Sequence, residues 1–488
     1  MIFDLRFTIA RPERANRKSP IVNSAERGPS RLAAGHHLER PWNSRRSSDE
    51  AARCGPGRPA LRWRRQGAPI LTVLLFANFL SIQFIPPSHA GDWPQWRGPT
   101  RNAYPATDAP DVATLPKDLK PIWRVTIGGG FSSPVVAKDM LVYLDENGPK
   151  EVAHALDAKT GKEIWNVPFA DRFEDEWGAG PRSTPVIDGD RVYALSCNGE
   201  FRCFSLADGK TIWAAGFEKD FGVKFLGSKA REGTASRRGN NGSVIVDGDD
   251  VIVPVGNTNG ASLVSFDKRT GKVIWKTGSD EAAYSSPMVA TIAGVKQVIA
   301  LTADALMGAE RATGKILWRV PLVTNAKRHA ATPVIIGNRV IVNSHTIGMV
   351  CFDITKDSGG FKATKAWTNE KLLINLSTPV LVGEHLYCQG PQKDYVCVEA
   401  STGRLKWSQP GFGAGKKDNS STIAVGQNLL VLTEDGQLVL LAADIAKYRE
   451  LGRLQVCGNT WSHPAYADGK LFVRDGRQLL CLDLARPK

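Results

Sequence analysis

Beyond residue 120 the chain alternates apolar and polar residues in short runs such as Gly189-Asp-Arg-Val-Tyr-Ala-Leu195 and Gly337-Asn-Arg-Val-Ile-Val342. A period of two places alternate side chains on one face, as a half-buried β-strand requires. These runs recur in a fixed order. Each group opens at a small polar residue, usually before proline: Ser133-Pro134, Thr184-Pro185, Ser286-Pro287, Thr332-Pro333, Thr378-Pro379 and His463-Pro464. Ser243 and Ser421-Thr422 take the same place without proline. Proline suits the first residue of a strand, which need not donate to the ladder. A Gly-led alternating strand follows, then a strand ending in Leu-Asp, an Asp-x-x-Thr-Gly turn, and a fourth strand closing in Trp. Leu156-Asp157 to Gly161 and Trp165, and Phe266-Asp267 to Gly271 and Trp275, are the clearest copies. The units ending in Trp318 and Trp407 are close to them, and Trp123, Trp213 and Trp367 complete the set. In the turn, Asp folds its side chain back onto the backbone and Gly supplies the positive φ. A Trp at one fixed place per unit is read as packing.

Four short antiparallel strands in roughly 40 to 50 residues make one propeller blade. The openings number eight, and the seven tryptophans plus a degenerate outer strand, Gly452-Arg-Leu-Gln-Val456, number eight as well. The strand Pro121-Ile-Trp123-Arg-Val125 precedes any complete blade, whereas the last blade ends at Leu480-Cys-Leu-Asp483 with no outer strand of its own. The predicted fold is therefore all-β, an eight-bladed β-propeller of four-stranded antiparallel blades. Its N- and C-terminal strands share a blade, closing the ring and removing open edges. A seven-bladed ring remains the alternative if the degenerate repeat is not a blade. Length alone would suggest several domains, but a closed ring of repeats is one body. Its 42% hydrophobic and 8% aromatic residues are ample for a large core.

The chain divides into 1–67, 68–90, 91–120 and 121–488. Residues 1–67 are rich in Arg, Pro, Gly and Ser without apolar periodicity, a disordered basic extension or a misassigned start. Arg62-Trp-Arg-Arg65 then precedes an apolar run from Ala68 to Ile85, and Ser88-His-Ala90 has cleavage-site spacing, together a secretory signal. A twin-arginine signal and an uncleaved membrane anchor are the alternatives. Residues 91–120 are expected to dock on the propeller at 121–488. Cleavage after Ala90 removes fifteen Lys/Arg and six Asp/Glu, so the remaining chain is 48 against 43, net +5 rather than +14. That balance argues against nucleic acid as a partner.

Seven cysteines follow Ala90. Cys203, Cys351, Cys397 and Cys481 all fall on the third strand of a unit, where a small buried side chain is expected. Cys388 with Cys397, or Cys197 with Cys203, could instead form a disulfide across a hairpin. None has zinc-ligand spacing.

The recurring unit resembles that of the pyrroloquinoline-quinone-type, or quinoprotein-like, repeat β-propellers across residues 121–484. The segments Asp92-Trp-Pro-Gln-Trp96-Arg-Gly-Pro99 and Trp177-Gly-Ala-Gly-Pro-Arg182-Ser-Thr-Pro185 resemble an exported branch of the planctomycete type. The resemblance implies that the tryptophans dock between neighbouring blades. It also implies two possible uses, because sites are grafted onto folds. Quinoprotein alcohol and sugar dehydrogenases hold the quinone and calcium on the central axis. Their pattern has an Asp base, a Glu/Asn calcium set and often an adjacent Cys-Cys pair, which this chain lacks along with long inter-blade insertions. The propeller subunit of the outer-membrane assembly machinery is a binding scaffold and a lipoprotein, and no Cys follows the signal here.

Candidate site residues come from the loops that lead from an outer strand into the next inner strand, because these converge on one channel mouth. They carry Arg182, Arg237, Arg238, Asn240, Asn241, Lys327, Arg328, His329, Lys416 and Lys417, with Asp418 as the main opposing charge. The ligand-binding set is Arg182, Arg237, Arg238, Asn241, Arg328 and His329, a basic funnel suited to an anion. Glu174-Asp-Glu176 is read as a solvated acidic face. The long 216–239 segment is the candidate lid or partner loop. No catalytic triad, phosphate loop or His-Glu-x-x-His motif appears. The reading is a periplasmic or secreted monomeric scaffold, binding other envelope proteins or an anionic small molecule or glycan. It needs no cofactor or metal and touches membrane only through an uncleaved signal segment. The alternative is a dehydrogenase dependent on pyrroloquinoline quinone (PQQ) and calcium.

Overall fold

The computed structural model describes residues 91–106, 110–230, 238–324, 326–413, 415 and 419–485. The proposed extension and signal, along with Arg237, Lys416, Lys417 and Asp418, lie outside the described residues.

Eight four-stranded antiparallel sheets follow one another along the chain. Blades 1 to 7 occupy residues 135–171, 186–216, 245–277, 288–321, 334–369, 380–409 and 420–455. Blade 8 takes three strands from 465–483 and its outer strand from Pro121–Thr126, with Trp123 opposite Cys481. The degenerate repeat is a full blade: Glu450–Gln455 pairs with Gln437–Ala442. This excludes the seven-bladed alternative. Among the described residues no helix is long and apolar enough to cross a membrane.

The repeat residues join blades. Six of the seven tryptophans donate Nε1–H to a carbonyl of the next blade: Trp123 to Ala158, Trp165 to Leu206, Trp213 to Lys268, Trp275 to Arg311, Trp367 to Ala400 and Trp407 to Asp444, at 2.8–3.2 Å. Each bond contributes about 0.5–1.5 kcal/mol net, and ring burial contributes more. Trp318 is the exception. Blade 5 lacks the Asp-x-x-Thr-Gly turn because its outer hairpin runs on to Asp357 and Gly360, so Trp318 bonds Gln297 within its own blade instead.

Inside each blade the residue opposite the Trp is small: Ala155, Cys203, Ser265, Gly308, Cys351, Cys397 or Cys481. In blade 7 the relation inverts, for Gly452 stands at the Trp position and Leu440 faces it. Leu115 of the N-terminal segment then covers Gly452, its side chain about 3.5 Å from where a Cβ would sit. The third-strand cysteines therefore make room for indole rings. All seven described cysteines are free and buried, and neither disulfide pairing is formed; Cys397 faces Tyr387, and Cys203 faces Tyr193.

The opening residues form a belt between blades. The Oγ of Thr184, Ser243 and Ser286 accepts the backbone N–H of Ser133, Thr184 and Ser243 respectively. Thr378 Oγ1 accepts from Thr332 N–H, and Ser133 Oγ accepts from His463 N–H, which ties blade 8 to blade 1. Buried Arg474 strengthens that junction by donating to the carbonyls of Gly128, Ser132 and Leu144.

Residues 91–104 cross the inner strands. Trp93 pairs with Val136 of blade 1, and Pro94 accepts from Ile187 of blade 2. Arg101 donates to Ser243 and Val244 of blade 3, Trp96 to Thr332 of blade 5, and Arg97 to Pro379 of blade 6. Ala103 accepts from Ala424 of blade 7, and both Trp93 and Trp96 lie against His463 of blade 8. Since the inner edges of the blades line the axis, a segment touching seven blades on or just before the inner strand occupies the channel. Arg97 and Arg101 are each 2% exposed there.

Candidate functional site

The chain just ahead of each inner strand contributes to one cavity of about 170 Å³. Around the ring these contributions are Phe131, Trp177 and Arg182, Asn241, Tyr284, Arg328, Asn375, Asn419, and Trp461 with His463. Trp96 of the channel-filling segment also lines it. The belt described above supports this convergence, because its bonds tie seven of the eight strand openings to a neighbour.

The cavity is two-sided. Trp461 lies 5.4 Å from Phe131 and 6.0 Å from Trp177, an aromatic wall at blades 8, 1 and 2. Arg328, at the entrance to blade 5, stands across the ring from Phe131 at the entrance to blade 1. Its Nη2 donates to Asn375 Oδ1 at 3.2 Å, and it has no carboxylate partner among the described residues. Burial lowers its pKa, with Arg238 adding repulsion. The Tyr284 hydroxyl is out of solvent, without a hydrogen-bond partner among the described residues. Burial pushes its pKa to about 12, so it remains a donor at neutral pH.

The candidate residues are arranged differently from a uniform funnel. Arg182, Asn241 and Arg328 line the cavity. Arg182, however, forms a bidentate pair with Asp175 at 2.6 Å, and the Asp175 side chain is fully buried. Arg182 also lies 5.3 Å from the Phe131 and Phe173 ring centroids. Arg238 pairs with Glu176. The strands Glu174–Asp175 and Gly178–Ala179 form a small hairpin that brings these carboxylates to the two guanidinium groups. The solvated-face reading holds for exposed Glu174 and is corrected for Asp175, which is buried against Arg182; Glu176, itself exposed, is the counterion of Arg238. Lys327 pairs with Glu281 and Asp304. His329 is buried off the cavity wall, its Nε2 at 2.8 Å from the Leu322 carbonyl, and burial lowers its pKa. Asn240 donates to the Pro254 carbonyl. Of the described loop cations here, Arg328 alone lacks a carboxylate.

Residues 217–230, the described part of the long segment after blade 2, fold back on that blade. Phe217 of the short helix Phe217–Phe221 and Phe225 are buried with Phe173 and Phe201. A Cβ on Gly227 would fall 2.2 Å from the Glu174 carbonyl oxygen, so the segment braces the small hairpin.

Charge-based reading overlooked Phe131, Tyr284, Asn375, Asn419, Trp461 and the floor residue Trp96. For all but Trp96, a common position just before a strand opening was the available signal. Among the described residues no three His, Cys, Asp or Glu side chains are grouped to hold a metal ion. Asp175 and Glu176, the carboxylates of the mouth hairpin, are committed to guanidinium groups, so this donor set does not fit calcium.

The outer membrane protein assembly factor BamB of Burkholderia pseudomallei is 25% identical over 206 residues, 41% of this chain and 45% of the relative. The Shewanella oneidensis protein of the same name is 22% identical over 282 residues, 54% of this chain and 65% of the relative. The chain thus spans about half to two thirds of the length of these curated relatives. The crystal structure of BamB from Moraxella catarrhalis has the same fold, with a TM-score of 0.52 at 12% identity over 75% of this chain and all of that one. The family pattern described as outer membrane protein assembly factor BamB matches residues 149–409, more than half of the sequence, and with its PQQ-type repeats the chain belongs to that family.

Proposed function

We propose that this propeller is an exported binding scaffold of the cell envelope, which holds an anionic ligand or the acidic group of a partner protein at its channel mouth. The observation that carries the reading is Arg328: a part-buried guanidinium with no carboxylate partner among the described residues, set in a cavity to which the entrances of all eight blades contribute. Burying a cation without a counterion is costly unless a ligand supplies one. The names of the relatives support a place in the envelope and protein partners there. Export rests on the apolar run from Ala68 to Ile85 and the small residues at 88–90.

Binding of small carboxylates and acidic peptides, measured by calorimetry at low and high salt, tests the site. Affinity should fall as salt rises, because exposed and part-exposed charges are screened over about 10 Å at 0.1 M. Salt-independent binding, or none, would refute the anionic mouth. Added PQQ and calcium should give no dye-coupled oxidation of alcohols or sugars. Turnover requiring both additions would replace the scaffold reading with the dehydrogenase.

A further inference from the structure

We infer that the mouth cavity takes a single carboxylated sugar ring, a uronate-type unit of an acidic glycan. This rests on the anionic-mouth reading and narrows it to one ligand class. Blade entrances 1 and 5 oppose each other in an eight-fold ring, and the cavity uses that opposition. Phe131 and Trp461 line one side, and Arg328, with no carboxylate partner among the described residues, stands on the other. A sugar has an apolar C–H face that stacks on aromatic rings, and a uronate carries its charge at one edge. Lying between the two walls, it meets aromatic rings with the face and the guanidinium with the carboxylate.

The remaining groups match hydroxyls rather than further charge. Asn241 and Asn419 come from the entrances of blades 3 and 7, again opposite each other, and are neutral amides; Asn241 donates one N–H to the Arg238 carbonyl and accepts from Cys197, which leaves its second N–H for a ligand oxygen. Tyr284 brings a buried hydroxyl with no hydrogen-bond partner among the described residues. Leaving such a group unpaired is unfavourable, so a ligand oxygen that reaches it improves binding. Trp96 closes the cavity beneath, which limits it to a compact ring instead of an extended chain threaded down the axis.

The test compares a glucuronate-terminated oligosaccharide with its neutral glucose-terminated counterpart and with an acidic peptide, by titration calorimetry on the whole protein. The uronate compound should bind at least about ten-fold more tightly than the neutral one, as a charge-assisted bond implies. Arg328→Gln should erase that ratio without lowering the melting temperature. Trp461→Ala should weaken both sugars and leave the ratio intact; Trp177→Ala serves if that variant does not fold. Equal binding of the two sugars, or an unchanged ratio in Arg328→Gln, overturns the inference. Tight, Arg328-dependent binding of the peptide without binding of the sugar also overturns it while leaving the anionic mouth standing. No salt-sensitive binding of any anion defeats both.

Discussion

Gly314 joins two requirements that can be separated by experiment. Its φ is +74°, and a Cβ there would lie 2.6 Å from Cε3 of Trp275 in the preceding blade. Gly337, in the inner hairpin of blade 5, has φ +58° with nothing within 4 Å of a Cβ. Gly337→Ala should therefore cost only the left-handed backbone penalty, about 1–2 kcal/mol. Gly314→Ala adds overpacking of about 1–3 kcal/mol. The ring cannot retreat without loss, because Trp275 is 8% exposed and its Nε1 donates to Arg311 in the same turn. Urea unfolding followed by circular dichroism should place Gly314→Ala roughly 2 kcal/mol below Gly337→Ala. In a Trp275→Ala background, itself about 3–5 kcal/mol destabilised, the extra cost of Gly314→Ala should disappear. That coupling is the measure of blade docking. Equal costs for the two glycines in the parent, or zero coupling in the cycle, would refute the claim that the turn glycine seats the neighbouring indole.

Three other outcomes are expected. Arg182→Gln should destabilise the fold by about 3–5 kcal/mol by stranding the buried Asp175 carboxylate, and Asp175→Asn should restore part of the loss; an unchanged melting temperature would show that the pair is not structural. Burial pushes the Glu151 carboxyl up to about 7, above its ordinary 4.5. The folded state then holds a proton that the unfolded chain releases, so stability should fall by up to ~3 kcal/mol as pH rises from about 4.5 to 7 and then level off. Glu151→Gln should flatten that slope in melting curves taken across the range, and a parallel curve would count against the assignment. Trp123→Pro should lower the melting temperature by breaking the shared blade, since it removes a ladder donor and a ring docked on Ala158; a parent-like melt would contradict closure by the two termini.

Blade number, strand order and closure were legible because each depends on residues close in sequence. The turn glycine, the Trp six or fewer residues later and the opening Ser or Thr recur at fixed spacing, and their backbone demands are local. Even the inverted pair Leu440 and Gly452 left a trace, as the one outer strand without Trp. The mouth was legible only as a set of loops. Arg182 and Arg238 look like free cations in sequence, but the small hairpin after blade 1 turns Asp175 and Glu176 toward them.

The sequence by itself determined an eight-unit ring, with indoles and small side chains as its joints, because short-range hydrogen bonding and packing repeat wherever the motif repeats. Tertiary structure alone decided the character of the cavity. Phe131 and Trp461 meet only because blade 8 closes on blade 1, and Arg328 opposes them only because four blades intervene. It also decided that residues 91–104 fill the axis and that Leu115 covers the place of the missing Trp. Charge neutralisation and cavity shape depend on distance in space, and ring closure sets those distances for residues hundreds of positions apart.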